Sequence, residues 1–187
     1  MRVLGAILAG GQARRFGSDK ALAILGGEAL IDRVVAALQP QVEAVVICGR
    51  THGGLEVLKD RPAPGLGPLA GLNAALHYGQ ANGFHAVLSV PCDAPFLPGD
   101  LRARLTLSGA AFVEDAPVVG LWPCHFAAQL DGRLADGSSR SLRGWAAAIG
   151  AAPVRLDRPI ENVNTPADLE RLRSSGPDRP PQALYPS

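Results

Sequence analysis

Short apolar runs alternate along this chain with segments of helical spacing, and few folds accommodate that alternation. VLGAIL (Val3–Leu8) reads as a buried strand, AVVIC (Ala44–Cys48) as the next, and LEVLK (Leu55–Lys59) as a short third. FHAVLSV (Phe84–Val90) reads as a strand buried on both faces, and a further strand region runs through APVVGLW (Ala116–Trp122). Between them, the segment from about Glu28 to Leu38 carries Leu30, Val34 and Leu38 at helical spacing. LAGLNAALHYG (Leu69–Gly79) predicts a compact helix ending on glycine, and another helix is expected from about Gly99 to Leu107. SSRSLRGWAAAIG (Ser138–Gly150) is amphipathic, with Leu142, Trp145 and Ile149 on one side. NTPADLERL signals a last helix: Thr165 can cap, Pro166 suits the first helical position, and Asp168 completes a capping-box spacing. The alternation predicts an α/β fold with a mostly parallel central sheet flanked by helices.

The 187 residues suit one globular domain with a substantial core, expected over residues 1–173. Residues 174–187 are rich in proline and serine, lack periodicity, and are expected to form a disordered tail. With 19% charged residues and a formal net charge of +1, the chain has no bulk affinity for nucleic acid or a membrane surface, so any anion recognition must be local. No apolar stretch approaches the roughly 18 residues that span a bilayer. Arg2 and the run after it imitate a signal peptide, but the run is short, ends in two glycines and meets Arg14 and Arg15 where a cleavage region is small and neutral. Cys48, Cys92 and Cys124 are far apart and outside any CxxC spacing, which favours a reducing compartment over a disulfide framework or zinc site. A cytoplasmic protein is expected. His52, His77, His85 and His125 form no metal-binding spacing, and Trp122 and Trp145 read as core.

The exit of the first strand is where such a sheet binds ligands. There the sequence runs LAGGQARRFGSDK (Leu8–Lys20). Gly10 and Gly11 let the backbone approach a ligand closely, with amide hydrogens available to phosphate oxygens. Arg14, Arg15 and Lys20 add the charge a triphosphate needs, the arginines as forks and the lysine as a point charge. The dinucleotide pattern GxGxxG is absent, and the Walker pattern fails because Ser18 and Asp19 separate Gly17 from Lys20. A glycine turn with solvated arginines remains the alternative.

The string resembles the signature of nucleotidyltransferases, and in particular that of the molybdenum cofactor guanylyltransferases: LAGG, three residues, arginine, an apolar residue, glycine, then lysine shortly after. Phe16 stands where methionine is commoner. GLGPLAGL (Gly65–Leu72), VPCDAPFLP (Val90–Pro98), PVVGLWP (Pro117–Pro123) and ENVNTPADL (Glu161–Leu169) are similar to further family segments. The resemblance implies a single Rossmann-like nucleotidyltransferase domain. It also implies that the terminal phosphate of molybdopterin or the molybdenum cofactor attacks the α-phosphorus of GTP and expels pyrophosphate. LAGG separates it from relatives that use CTP or a sugar phosphate, which usually begin LAAG. A non-catalytic nucleotide- or cofactor-binding protein stands as the alternative from another class.

Residue by residue, the resemblance makes Arg15, Lys20 and Asp93 catalytic. Asp93 would be the ligand of Mg2+, which needs only one or two carboxylates beside the phosphates. Leu8, Ala9, Gly10 and Gly11 would meet the nucleotide through their backbone, with Lys20, Asp60 and Asp93 completing its site. Asn162 and Asn164 would face the pterin acceptor. Asp60 equally suits a turn former, and the two asparagines equally suit turn and cap formation before the last helix. Cys48 stands where relatives often have asparagine, and a thiol cannot replace an amide's paired donor and acceptor, so it is left outside the expected site. Cys92 reads as packing. The resemblance also implies transient contact with cofactor-biosynthesis or acceptor proteins.

Overall fold

In the computed structural model, residues 1–10 and 20–174 are described. The strands are β1 (Val3–Leu8), β2 (Ile24–Leu25), β3 (Glu28–Ala29), β4 (Ala44–Cys48), β5 (Glu56–Leu58), β6 (Ala86–Pro91), β7 (Ala111–Val113), β8 (Ala116–Pro123) and β9 (Ala152–Val154). The helices are α1 (Leu30–Leu38), α2 (Pro68–Ala81), α3 (Leu101–Thr106), α4 (Ala127–Ala135), α5 (Leu142–Ala148) and α6 (Pro166–Ser174). Seven strands form the central sheet in the order β5-β4-β1-β6-β8-β7-β9, and β2 and β3 make a separate small hairpin. All neighbours are parallel except β8, which runs antiparallel to both β6 and β7.

β1 is the middle of the molecule, buried along its whole length. Its side chains alternate between faces, as strand geometry requires. Val3 and Ile7 join Ile31, Val34 and Leu38 of α1 and Leu101 and Leu105 of α3. Leu4, Ala6 and Leu8 join Leu69, Leu72 and Leu76 of α2, Leu130 and Leu134 of α4, and Trp145 of α5. Gly5 faces α1, where a Cβ would stand 2.9 Å from Leu38 Cδ2, so the missing side chain sets how closely that helix approaches the sheet. A third, smaller cluster packs Leu169 and Leu172 of α6 with Leu25, Leu30 and Val163.

The expected sheet and helices are present, with informative differences. α1 begins at Leu30 because Glu28 and Ala29 pair with Ile24 and Leu25 in the hairpin. α2 does not end on Gly79. It continues to Ala81, and Gly83 at φ 71° turns the chain, while a Cβ on Gly79 would lie 2.8 Å from Cys124 Sγ. Gly79 is therefore a packing glycine. α4 carries only Ala127, Leu130 and Leu134 on its buried face and has no side-chain cap, so its stability comes from packing rather than local signals. The capping box of α6 forms as expected: the Asp168 N–H donates to Thr165 Oγ1 at 3.2 Å, and the Thr165 N–H donates to Asp168 Oδ2 at 2.9 Å. α6 runs through Ser174, one residue past the expected domain end, and residues 175–187 lie outside the described residues.

Trp122 and Trp145 are fully buried, as core residues should be. Trp122 Nε1 donates at 2.8 Å to the hydroxyl of Ser89, which itself donates to the Val118 carbonyl at 2.6 Å. A polar pair is thereby satisfied inside the sheet. Among the described residues, no helix is long and apolar enough to cross a membrane.

Candidate active site

Register brings the candidate residues to one edge of the sheet. Leu8 is paired with both Cys48 and Pro91, and Cys48 is paired with Leu58, so β1, β4, β5 and β6 end level. The residues that leave those ends therefore emerge side by side: Ala9 and Gly10, Gly49, Lys59 and Asp60, Cys92 and Asp93. Of these, Gly10, Asp60, Cys92 and Asp93 line a cleft of about 230 Å³, together with Leu8, Cys48, Gly67, Pro68, Gly71, Pro91 and Val118. Five segments far apart in sequence contribute, which is the usual construction of a ligand site on an open α/β sheet.

The first segment is held in place by backbone. The Ala9 N–H donates to the Cys48 carbonyl at 3.0 Å, extending the β1–β4 ladder one residue past the strand. Ala9 itself does not line the cleft. Gly49 adopts φ 88°, and a Cβ there would stand 2.6 Å from Gly10 Cα, so glycine at this point is what allows the two strand exits to touch. A Cβ on Gly10 would lie 3.4 Å from Asp60 Oδ2, so the backbone of the first segment borders that carboxylate directly. Gly11, Arg14 and Arg15 lie outside the described residues. Lys20 opens a short 3₁₀ turn, Lys20–Leu22, and its side chain also lies outside them.

Two carboxylates enter the cleft. Asp93 is 5% exposed on a loop stiffened by the buried Pro91 and Pro95. Asp60 is half-buried, and burial pushes its carboxyl above the ordinary carboxylate value. α2 starts at the same place. Its first residue is Pro68 after Gly67 at φ 77°, both line the cleft, and no side chain among the described residues caps it, so the positive end of a 14-residue helix opens toward the ligand space. Among the described residues no three His, Cys, Asp or Glu side chains cluster as a metal cage. A hard divalent cation that takes its other oxygens from phosphates still fits this donor set, because Mg2+ needs only one or two carboxylates.

Cys48, which sequence reasoning left out, lines the cleft. Burial, followed by the nearby charge of Asp60, pushes its thiol up to about 12, and Sγ donates to the Gly71 carbonyl at 3.3 Å. It is a neutral wall of the cleft rather than a nucleophile. Cys92 also lines the cleft while belonging to the core, so packing describes only half of its position. Gly67, Pro68, Gly71 and Val118 sit within stretches whose family likeness the sequence already displayed, but nothing local to them says that they face a ligand.

The paired asparagines are beside the cleft rather than in it. The Val163 N–H donates to the Asp93 carbonyl at 2.9 Å, tying their segment to the Asp93 loop. Asn162 Oδ1 is buried, with no hydrogen-bond partner among the described residues. Asn164 is exposed, and its N–H donates to Asp168 Oδ2 at 3.1 Å, so its backbone belongs to the cap of α6.

The profile of the MobA-like NTP transferase domain matches residues 5–150. The molybdenum cofactor guanylyltransferase of Rhodobacter capsulatus is 42% identical over 191 residues, spanning 95% of this chain and 100% of the relative. That of Sinorhizobium fredii (strain NBRC 101917 / NGR234) is 38% identical over 88% of this chain and 87% of its own. The crystal structure of molybdopterin-guanine dinucleotide biosynthesis protein A from Archaeoglobus fulgidus superposes with a TM-score of 0.70 at 23% identity, covering 92% of this chain and 97% of that one. Sheet order, cleft position and these likenesses agree: the chain belongs to the MobA-like NTP transferases, the family in which these curated relatives are molybdenum cofactor guanylyltransferases.

Proposed function

We propose that this chain transfers GMP from GTP to the terminal phosphate of molybdopterin or the molybdenum cofactor, releasing pyrophosphate. The observation that carries the reading is the meeting of Gly10, Asp60 and Asp93 with the open N-terminus of α2 in one cleft. An anion attacks a polyanion in this reaction, so the protein has to neutralise charge and align the reactants more than supply a nucleophile. An oxygen of the acceptor phosphate bonds to the α-phosphorus of GTP as the bond to the bridging oxygen breaks, and that oxygen departs with pyrophosphate.

Leu8 and Gly10 present backbone to the nucleotide, and Asp60 borders the same space. The N-terminus of α2 favours a ligand with acceptor atoms or negative charge. We assign Asp93 as the carboxylate that holds Mg2+, with Asp60 as the only other acid lining the cleft among the described residues. Magnesium, when bound, offsets phosphate charge and orients the attacking and departing oxygens. Arg15 and Lys20 are assigned to the triphosphate by family likeness, and Asn162 and Asn164 to the acceptor. The three buried thiols suit a reducing, cytoplasmic compartment.

The test is pyrophosphate release from GTP, CTP and ATP with the molybdenum cofactor, at a series of magnesium concentrations. GTP with magnesium is expected to support turnover above the other two, and Lys20→Ala to remove most of it while the melting temperature holds. Equal turnover with CTP overturns the guanylyl assignment. Full turnover in excess chelator overturns the metal assignment.

A further inference from the structure

Asp131 lies on α4, a helix that contributes nothing to the cleft. Its carboxylate nevertheless accepts from Arg61 Nε at 3.2 Å and Arg61 Nη2 at 3.3 Å, from Asn73 Nδ2 at 2.7 Å, and pairs with His77 Nε2 at 2.8 Å. Burial alone would raise its carboxyl, but the bonds from Arg61 and Asn73 and the nearby His77 outweigh that and hold it below the ordinary carboxylate value. A bidentate arginine fork plus two further partners is a demanding arrangement for a surface acid.

The partners of Asp131 bracket the cleft. Arg61 is the residue after Asp60, and Asn73 follows Gly71 by two on α2. The Arg61 N–H donates to the Ala70 carbonyl at 3.1 Å, and Asn73 Nδ2 also reaches the Arg61 carbonyl at 3.4 Å. Asn73 is completely buried, and its Oδ1 has no partner among the described residues. That orphan follows from the arrangement: the amide nitrogen faces two acceptors, Arg61 O and Asp131, and flipping the amide would set oxygen against oxygen. One carboxylate thus fixes both the side chain of Arg61 and the amide that grips its backbone.

We infer that Asp131 is a positioning residue for the nucleotide site, holding Asp60 in the cleft through Arg61 and Asn73. The segment after Asp60 needs such a tether. It leaves β5, an edge strand of the sheet, and Arg61 to Gly65 are all exposed, so among the described residues the Arg61 backbone bond to Ala70 and the contacts gathered by Asp131 are what anchor it. The inference rests on the reading of Asp60 as a nucleotide-binding residue, and its test separates the two.

Asp131→Ala and Asp131→Asn are compared with the wild-type chain, Asp60→Asn and the Asp60→Asn/Asp131→Ala double variant. Amide exchange across residues 61–67 is expected to accelerate in both Asp131 variants while β1 and β6 keep their protection. The KM for GTP should rise on the order of tenfold, with the KM for the acceptor unchanged. The double variant should bind GTP no worse than Asp60→Asn alone, because the tether has nothing left to position. Unchanged exchange over 61–67, or losses that simply add in the double variant, overturn the inference. Normal GTP binding by Asp60→Asn overturns instead the assignment of Asp60, and with it the role of the tether in binding. Asp131→Asn keeps the volume and an acceptor for Asn73, so it reports even if the alanine variant folds poorly.

Discussion

Asp93 and Asp60 are both acids in one cleft, but their surroundings set them different tasks. Asp93 is buried on a proline-braced loop whose carbonyl is tied to Val163, and so cannot drift from its place. Replacing it with asparagine keeps size and removes charge. On the proposed metal assignment, losing a charge contact worth about 3–4 kcal/mol in the transition state would slow pyrophosphate release by roughly two to three orders of magnitude. A magnesium titration of that variant checks it, and a normal rate at a normal midpoint moves the metal elsewhere. Asp60 is a half-buried acid whose charge is disfavoured by burial. Asp60→Asn should therefore raise the melting temperature of the free protein while weakening its stabilisation by GTP, the trade expected where function keeps a destabilising group. Thermal melts with and without nucleotide read both effects. That Asp93 and Asp60 were candidates was legible from family likeness. That Cys48 shares their cleft was not, because facing a ligand depends on where the neighbouring strands stop.

α2 and α6 each connect a capping feature to the site, in opposite ways. α2 has no side-chain cap among the described residues and starts at the cleft with Pro68, which has no N–H, while the Ala70 N–H donates to the Gly67 carbonyl at 3.1 Å, so it is the helix dipole that faces the ligand space. α6 is capped reciprocally by Thr165 and Asp168, and the segment before it reaches the Asp93 loop through Val163. Thr165→Ala removes the hydroxyl that accepts from the Asp168 N–H and should cost about 1 kcal/mol, read as a lower midpoint in urea with the same slope. Since the same segment carries Asn162 and Asn164, its KM for the acceptor should rise while that for GTP stays near normal. An unchanged midpoint would show that packing of Leu169 and Leu172 alone holds the helix. The cap was readable locally because its geometry spans four consecutive residues. α4 was not, since a helix with three buried residues is stabilised by α2 rather than by its own sequence.

The whole molecule is a sheet buried between two layers, and its buried thiols make it sensitive to alkali. The unfolded chain ionises Cys48 above its ordinary value of 9.0, whereas burial keeps the folded thiol protonated to about 12. Its contribution to stability is complete below that lower value and falls as pH rises through the window, by at most about 1.4 kcal/mol per pH unit. Cys124, pushed up to about 11, acts in the same direction. Melting temperature should therefore drop more steeply between pH 9 and 11 in the wild-type chain than in Cys48→Ala, and parallel curves would remove Cys48 from the account. At this scale the division between sequence and structure is clear. Apolar runs, helix spacings and the capping box follow from neighbours within a few residues, so β1, β4, β5, β6, β8, the helices other than α4, the mostly parallel sheet and the glycine-rich exit of β1 were determined by the sequence itself, whereas the β2–β3 hairpin, β7, β9 and α4 were not. The reversal of β8, the level ends of β1, β4, β5 and β6, the place of Cys48 and the reach of Asp131 to Arg61 were decided only in three dimensions. Each depends on register and packing between segments tens of residues apart, and no local propensity encodes which strands lie side by side or where they end together.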